Sequence, residues 1–255
     1  MRYRSKVFVL FLAIFFLLPA EVRCLATTIT PDEIIQKIEE NLNGETAYMK
    51  IVMIVKTKRT ERTIKMESYS VGKEKSFIKI IYPGKDKGIT FLKVDKQMWQ
   101  YVPRIEKTIK IPASMMLQGW MGSDFTNDDL VRETSLSDDY FTKLVNEDDQ
   151  HWQIELVPKE EAAVVWGRIV MKVDKKLYLP TLVSYYDEDD ILIRVMHYSE
   201  VKSYGDRFYP SRWVVDPKTE EKAGHQTIME VSDAVFDGEI DASYFTKRAL
   251  KRFSR

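Results

Sequence analysis

From Ala47 to Val231, hydrophobic side chains recur at every second residue in about a dozen short segments. A period of two residues is typical of β-strands with one buried face. Turn-forming residues separate the segments, as at Gly72-Lys73 and in the run Pro83–Asp86. No segment is followed by the helical crossover that parallel strands require. The pattern therefore predicts a mainly β protein with a few helices, built on one large antiparallel sheet that tends to curl or close.

One amphipathic helix is expected before the first strand. Thr30, Pro31 and Glu33 have the spacing of an N-cap, a first helical residue and a capping-box partner. Gly44 follows Asn43 as a helix stop. The apolar stripe of the helix consists of Ile34, Ile35, Ile38 and Leu42. This stripe needs a partner surface, and the apolar face of the sheet can provide one.

The segment from Ser114 to Leu130 differs from its β-rich surroundings. It contains three methionines, two glycines and Trp120, and residues 126–130 have the pattern of a short capped helix. Methionine is common both in cores and in adaptable binding surfaces. Two interpretations are therefore open, a plug that fills the core and a movable lid over a hydrophobic pocket. In an exported, cysteine-poor protein with a one-sided sheet, we favour the lid.

Residues 1–26 are predicted to be a signal peptide, which leaves 27–255 as a single domain. Basic residues precede the apolar run Val7–Leu18, which is too short to span a bilayer as a helix. Cleavage after residue 26 would remove Cys24, the only cysteine in the chain. The residues just before Cys24 are not the small ones that lipid attachment requires. The sequence therefore predicts a soluble exported protein without a lipid anchor or a disulfide.

The composition argues against nucleic-acid binding, and no enzyme motif is present. Residues 1–26 hold four basic residues and one acidic residue, so the rest of the chain carries about three net negative charges. The three histidines are far apart, and the acidic run Asp187–Asp190 is expected to be a solvated turn. There is no phosphate loop, dinucleotide fingerprint or nucleophile elbow. We therefore expect no catalytic residues, no metal and no cofactor.

Four motifs in this chain are similar to those of a known family. They are Tyr82–Gly88, Trp99–Pro103, Ser123–Leu130 and Tyr244–Thr246, and the match runs in order from about residue 31 to about residue 250. The chain resembles the outer-membrane lipoprotein-sorting proteins, the LolA-like periplasmic carriers, in the longer branch of that family. The resemblance implies a strongly curved antiparallel sheet, an incomplete β-barrel, with helices covering its concave apolar face.

The resemblance also implies a function without catalysis. Such a periplasmic carrier shelters the acyl chains of lipoproteins, or of other envelope lipids, in a hydrophobic cavity during transport toward the outer membrane. Its partners would be the acylated cargo, a transient inner-membrane exporter and an outer-membrane acceptor. The alternative is an envelope sensor or adaptor of the same fold that binds a membrane-protein partner such as an inner-membrane exporter.

The candidate site is a set of apolar residues on the predicted helix, on the first two strands and in the Met-rich segment. Each acyl methylene removed from water contributes about 0.8 kcal/mol, so an apolar groove can hold a lipid without a catalytic group. The residues expected to line or cover the cavity are Ile34, Ile38, Met49, Ile51, Met53, Ile64, Met66, Met116, Trp120 and Met121.

Overall fold

A computed structural model describes residues 29–131, 136–162 and 164–255. The predicted signal peptide and Cys24 lie outside these residues. The helices are α1 (Pro31–Asn43), α2 (Asn127–Val131), α3 (Leu136–Asp139) and α4 (Lys247–Arg252). The strands are β1 (Thr46–Lys56), β2 (Glu61–Val71), β3 (Lys75–Tyr82), β4 (Thr90–Val94), β5 (Gln97–Val102), β6 (Lys107–Lys110), β7 (Tyr140–Glu147), β8 (His151–Pro158), β9 (Arg168–Asp174), β10 (Leu179–Tyr186), β11 (Leu192–Tyr204), β12 (Arg207–Pro217) and β13 (Gln226–Phe236). In the described part of the chain, no helix is long and apolar enough to cross a membrane.

All of these strands form one antiparallel sheet in the order β6-β5-β4-β3-β2-β1-β13-β12-β11-β10-β9-β8-β7. The chain runs outward from β1 to the edge strand β6 and resumes at the opposite edge with β7. It then returns strand by strand to β13, which pairs with β1. The connection between the two edges is residues 111–139. We call residues 111–131 of this connection the crossing segment.

The sheet is curved around a single core. Met98 of β5 and Ile154 of β8 belong to strands near opposite edges of the sheet, yet both lie in one cluster of buried side chains. A flat sheet of this width would hold these strands far apart, because neighbouring strands are about 4.8 Å apart. The two edges are not hydrogen-bonded to each other. The predicted fold, a curved antiparallel sheet that does not close into a barrel, is therefore confirmed.

Helix α1 covers part of the concave face. Glu33 N donates to Thr30 Oγ1 at 3.2 Å, and Thr30 N donates to Glu33 Oε2 at 2.7 Å, so the predicted capping box is present. Gly44 ends the helix with φ of 65°. The three isoleucines of the apolar stripe, Ile34, Ile35 and Ile38, are at most 2% exposed. The helix thus fills one part of the space that the curved sheet encloses.

The C-terminal residues pack on the convex face of the sheet. Tyr244 stacks on Tyr69 of β2 with ring centroids 4.1 Å apart. Leu250 of α4 is fully buried in a cluster that contains Phe77 and Leu92. Thr90 Oγ1 donates to the carbonyl oxygen of Leu250 at 2.7 Å. The C-terminal tail therefore shields an apolar patch behind β3, β4 and β5.

Two details of the strand prediction can be compared with the structure. The short edge strand β6 was not predicted, because its four residues are all exposed and two of them are lysines. The acidic run Asp187–Asp190 forms the turn between β10 and β11, as expected. Arg168 of β9 pairs with Asp190 at 2.6 Å and so attaches this turn to the neighbouring strand.

Replacing Leu250 with alanine should destabilise the protein by about 3 kcal/mol, because the change leaves a cavity in a fully buried cluster. The measurement is the free energy of unfolding in urea. Lys251→Ala is the control, since Lys251 is exposed on the same helix and should change stability by no more than about 0.5 kcal/mol. Equal stability of the two variants would contradict the docking of α4 on the sheet.

Candidate functional site

A cavity of about 440 Å³ lies between the concave face and the elements that cover it. Its walls come mainly from β1–β4 and β9–β13, and α1, α3 and the crossing segment also contribute to the lining. The volume falls within the range of about 300–1,000 Å³ that is usual for small-molecule pockets. Most of the lining side chains are apolar, including Met49, Ile78, Met196, Trp213 and Met229.

Small side chains in β2 and β3 contribute to the empty space. Ser68 and Ser70 follow Met66 on the same face of β2, and Ser76 of β3 is paired with Ser70. All three serines line the cavity. Because serine is much smaller than the methionine and isoleucine that continue the same face, the sheet is not filled at this end. The sequence of β2 and β3 thus determines where the concave face stays open.

The structure brings the ten predicted site residues into one region. Four of them line the cavity: Met49, Ile51, Met66 and Trp120. Four more are buried in the core that adjoins the cavity: Ile34, Ile38, Met53 and Ile64. The last two, Met116 and Met121, are half-buried on the crossing segment and pack against the same core. That these ten side chains line or cover a ligand-binding cavity stays a prediction.

Several cavity residues were not predicted from the sequence. From the second half of the chain they include Arg194, Met196, Tyr198, Tyr209, Trp213 and Met229. The alternation of Arg194, Met196 and Tyr198 along β11 places them on one face, and this signal was available in the sequence. The polar residues Lys73, Lys75 and Lys93 were also missed. Charged side chains on strands were taken as solvent-facing, which is wrong for Lys93 because it is only 5% exposed.

The crossing segment consists of short turns followed by a capped helix. Two 3₁₀ turns, Ala113–Met115 and Trp120–Gly122, replace a continuous helix in its Met-rich part. Asp129 N donates to Thr126 Oγ1 at 3.1 Å, and Thr126 N donates to Asp129 Oδ2 at 2.8 Å. These reciprocal bonds cap α2, as the pattern of residues 126–130 predicts.

A buried ion pair attaches the crossing segment to the sheet. The guanidinium of Arg194 on β11 donates to both carboxylate oxygens of Asp129, at 2.7 Å each. The side chains of Arg194 and Asp129 are only 6% and 18% exposed. The guanidinium also lies against two aromatic rings, 4.6 Å from the centroid of Trp166 and 4.5 Å from that of Tyr185. Asp129 therefore caps its own helix and fixes that helix to β11.

A second polar attachment lies at the start of the same motif. Thr227 Oγ1 of β13 donates to Asp124 Oδ2 at 2.7 Å, and Asp124 N donates to Thr227 Oγ1 at 2.9 Å. Thr227 is fully buried. The motif from Ser123 to Leu130 thus connects the crossing segment to β11 and β13.

Electrostatics keep the ion pair charged. Burial would raise the pKa of the Asp129 carboxyl, but Arg194 and the hydrogen bonds from Thr126 hold that pKa below its usual value of 3.8. Burial would likewise lower the pKa of Arg194, and the bidentate bond to Asp129 instead raises it above its usual range. The pair therefore stabilises the folded state at neutral pH, and this stabilisation is lost as the pH falls below about 3.8 and Asp129 becomes protonated.

Asp129→Asn should lower the free energy of unfolding at pH 7 by about 3–5 kcal/mol, because it leaves the charge of Arg194 buried without its counterion. The variant should also lose less stability than the wild type when the pH is lowered from 5 to 2, since the group that titrates is gone. Urea unfolding across this pH range is the measurement. Asp189→Asn in the exposed β10–β11 turn is the matched control. Wild-type stability in Asp129→Asn would contradict the attachment.

Three solved structures share this fold. The structure is similar to a DUF1329 family protein from Desulfovibrio piger, with 22% identity, a TM-score of 0.78 and coverage of 86% of this chain and 97% of that one. It is similar to a candidate outer membrane lipoprotein-sorting protein domain from Vibrio parahaemolyticus, with 21% identity, a TM-score of 0.74 and coverage of 87% and 98%. A LolA superfamily protein from Nitrosomonas europaea shares 19% identity, a TM-score of 0.70 and coverage of 87% and 99%.

These likenesses confirm the expected LolA-like fold. No curated protein is similar in sequence to this chain. A family model described as an uncharacterized protein matches residues 72–252, which is more than half of the chain. The protein is therefore a member of the family that this model describes, with a LolA-like fold.

Proposed function

We propose that the protein is a periplasmic carrier that holds the acyl chains of lipoproteins, or of other envelope lipids, in its cavity during transport toward the outer membrane. The observation that carries the proposal is the apolar cavity beneath the concave face of a LolA-like sheet. Proposed partners are the acylated cargo, an inner-membrane exporter that loads it and an outer-membrane acceptor that receives it. Residues 1–26 would direct export, and 27–255 would act as one soluble domain.

The physical chemistry of this function requires no catalytic group. Each buried methylene contributes about 0.8 kcal/mol, so ten methylenes supply roughly 8 kcal/mol toward removing a chain from a membrane. Part of this energy is offset by the order that binding imposes on the chain and on the protein. The cavity walls contain flexible methionine side chains that can adapt to acyl chains of different length. They are those of Met49, Met66, Met196 and Met229.

The crossing segment is proposed to be the lid of this cavity. Trp120 and Phe125 of this segment line the cavity, and Met116 and Met121 pack against the adjoining core. Its polar attachments to the sheet are made by Asp124 and Asp129. A lid needs open and closed states of similar free energy. Discrete polar attachments with adaptable apolar contacts between them are suited to that requirement.

An envelope sensor or adaptor remains the second candidate, and one surface favours it. Phe141 of β7 and Val157 of β8 are opposite each other in the sheet and are 63% and 43% exposed. Because β7 is an edge strand, a partner protein could contact this apolar pair and the free edge together. An adaptor would bind one membrane protein stoichiometrically and would carry no lipid, so the experiments below separate the two functions.

Filling the cavity should abolish carriage without unfolding the protein. Ser68→Trp places a large side chain where the concave face is open, so uptake of a fluorescent fatty-acyl probe should fall at least about tenfold. Native mass spectrometry of the wild-type protein purified from envelope extracts should show co-bound lipid, and the variant should show none. Ser199→Trp is the control, because Ser199 is exposed on β11 outside the cavity. Equal probe uptake by both variants would contradict the proposed carrier function. Absence of lipid from the purified wild-type protein would contradict it as well.

A charge on the inner side of the crossing segment should distinguish a lid from a plug. Met116→Asp adds a carboxylate to a half-buried position against the core, whereas Leu117→Asp adds one to a side chain that is 63% exposed. For a lid, Met116→Asp should reduce probe retention about tenfold and change the unfolding free energy by only about 1 kcal/mol. Loss of folding with unchanged retention in the folded fraction would show that the segment is a plug.

A further inference from the structure

Basic side chains are concentrated on the surface at one end of the sheet. They lie in three stretches, which are the β3–β4 loop at residues 83–88, the β5–β6 hairpin with β6 at residues 103–110, and helix α4 at residues 247–252. These stretches contain nine basic residues and only two acidic ones, Asp86 and Glu106. Every lysine and arginine in them is exposed. We call these nine lysines and arginines the basic surface.

Contacts among the three stretches make the basic surface continuous. The ammonium groups of Lys247 and Lys110 lie over the same ring, at 4.6 and 5.9 Å from the centroid of Trp99. The start of α4 therefore lies beside the end of β6. The β3–β4 loop meets the other end of the tail at Gly88, where a Cβ atom would collide with the backbone carbonyl of Ser254. Helix α4 thus connects the loop and the edge strand.

Helix α4 exposes its charged residues because its apolar residues face the sheet. Ala249 and Leu250 are at most 1% exposed. Thr90 of β4 donates a hydrogen bond to the backbone carbonyl of Leu250, which fixes the helix to the sheet. The other four residues of the helix are lysines and arginines, and all four are exposed. The helix therefore presents four cations from a docked position.

The basic surface has no carboxylate partners in the described part of the chain. None of its nine cations forms an ion pair with a described residue. Nine basic and two acidic residues give the three stretches seven net positive charges. The chain as a whole has no net charge, so the remaining residues together carry seven net negative charges. A local excess of this size produces a positive potential that attracts an extended anionic partner.

We propose that the basic surface binds the surface of an anionic phospholipid membrane. Clustered lysines and arginines are the usual means of binding such a membrane reversibly. A protein partner fits this surface less well, because protein–protein interfaces are depleted in lysine and have apolar centres. Tyr82, which is 50% exposed at the start of the β3–β4 loop, is of a residue type that is common at membrane–water interfaces. The cavity has no part in this binding, so the inference goes beyond the proposed carrier function.

The strength of such binding follows from the number of cations that reach the membrane. Each basic residue close to an anionic bilayer strengthens binding about fivefold. The attraction falls off over about 8 Å at physiological ionic strength, so only the cations nearest to the bilayer contribute. The binding is therefore weak enough to reverse and is sensitive to salt. A carrier that collects cargo at one membrane and delivers it at another needs contacts that it can release.

Vesicles of two compositions provide the test. Cosedimentation of the purified protein is measured with vesicles of phosphatidylcholine and with vesicles of equal parts phosphatidylcholine and phosphatidylglycerol. The wild-type protein should bind the anionic vesicles at least about 25-fold more tightly, and about 0.5 M salt should remove the preference. Arg248→Gln combined with Lys251→Gln should weaken binding to the anionic vesicles about 25-fold. Arg248→Lys combined with Lys251→Arg should bind like the wild type, because a bilayer surface requires the charge and no fixed geometry.

Lys143→Gln combined with Lys202→Gln is the matched control, because both lysines are exposed on β7 and β11, outside the basic surface. This control should bind the anionic vesicles like the wild type. Ser68→Trp should also bind them like the wild type, so that a failure of the carrier function and a failure of this proposal give different results. Urea unfolding checks that each variant folds. If the α4 variant does not fold, Lys85→Gln combined with Lys87→Gln should show the same loss of binding.

Three outcomes would overturn the proposal. The first is equal binding of the wild-type protein to neutral and anionic vesicles. The second is an equal loss of binding in the α4 variant and in the matched control. The third is salt-sensitive binding to an acidic protein without binding to anionic vesicles, which would show that the basic surface docks a protein.

Discussion

The rest of this structure depends on one constraint, which is that the apolar face of a thirteen-stranded sheet cannot be left in water. The sheet meets it by curling until Met98 and Ile154, near opposite edges, share one core. Curling leaves an interior that is too wide for the strands' own side chains to fill. Helix α1 and the crossing segment occupy part of this space, and the remainder is the cavity. The cavity therefore results from incomplete filling of the interior and needs no dedicated domain.

Polar interactions determine where the covering elements are attached, whereas apolar contacts supply most of the burial. Asn41 of α1 donates to the backbone carbonyl of Leu177 at 3.0 Å, and Asp129 pairs with Arg194, so each contact fixes one point of the cover. Between these points the contacts are made by methionine and aromatic side chains, which tolerate displacement. This division of roles allows one cover to be both well positioned and adaptable, which a uniformly apolar interface would not achieve.

The sequence predicted those helices and strands whose formation depends on residues close together in the chain. Helix α1 was predicted because its cap, its stripe and its glycine stop all lie within fifteen residues, and the strands were predicted by alternation. The pairing of Asp129 with Arg194 could not be predicted, because these residues are 65 positions apart and the fold alone brings them together. The burial of Lys93 was missed for a related reason, since a charged strand residue is normally exposed. The fold was thus more predictable than the polar chemistry of its cavity.

The pairing of β13 with β1 makes the order of synthesis matter for the cavity. Strand β1 begins at Thr46, but its partner on one side is the last strand of the chain. The first six strands and the next six can each form their own hairpins, yet the two groups join only when residues 226–236 are available. Met229, which lines the cavity, belongs to this joining strand. A growing chain therefore has two open half-sheets and no enclosed interior, and its cavity forms only when the chain is nearly complete.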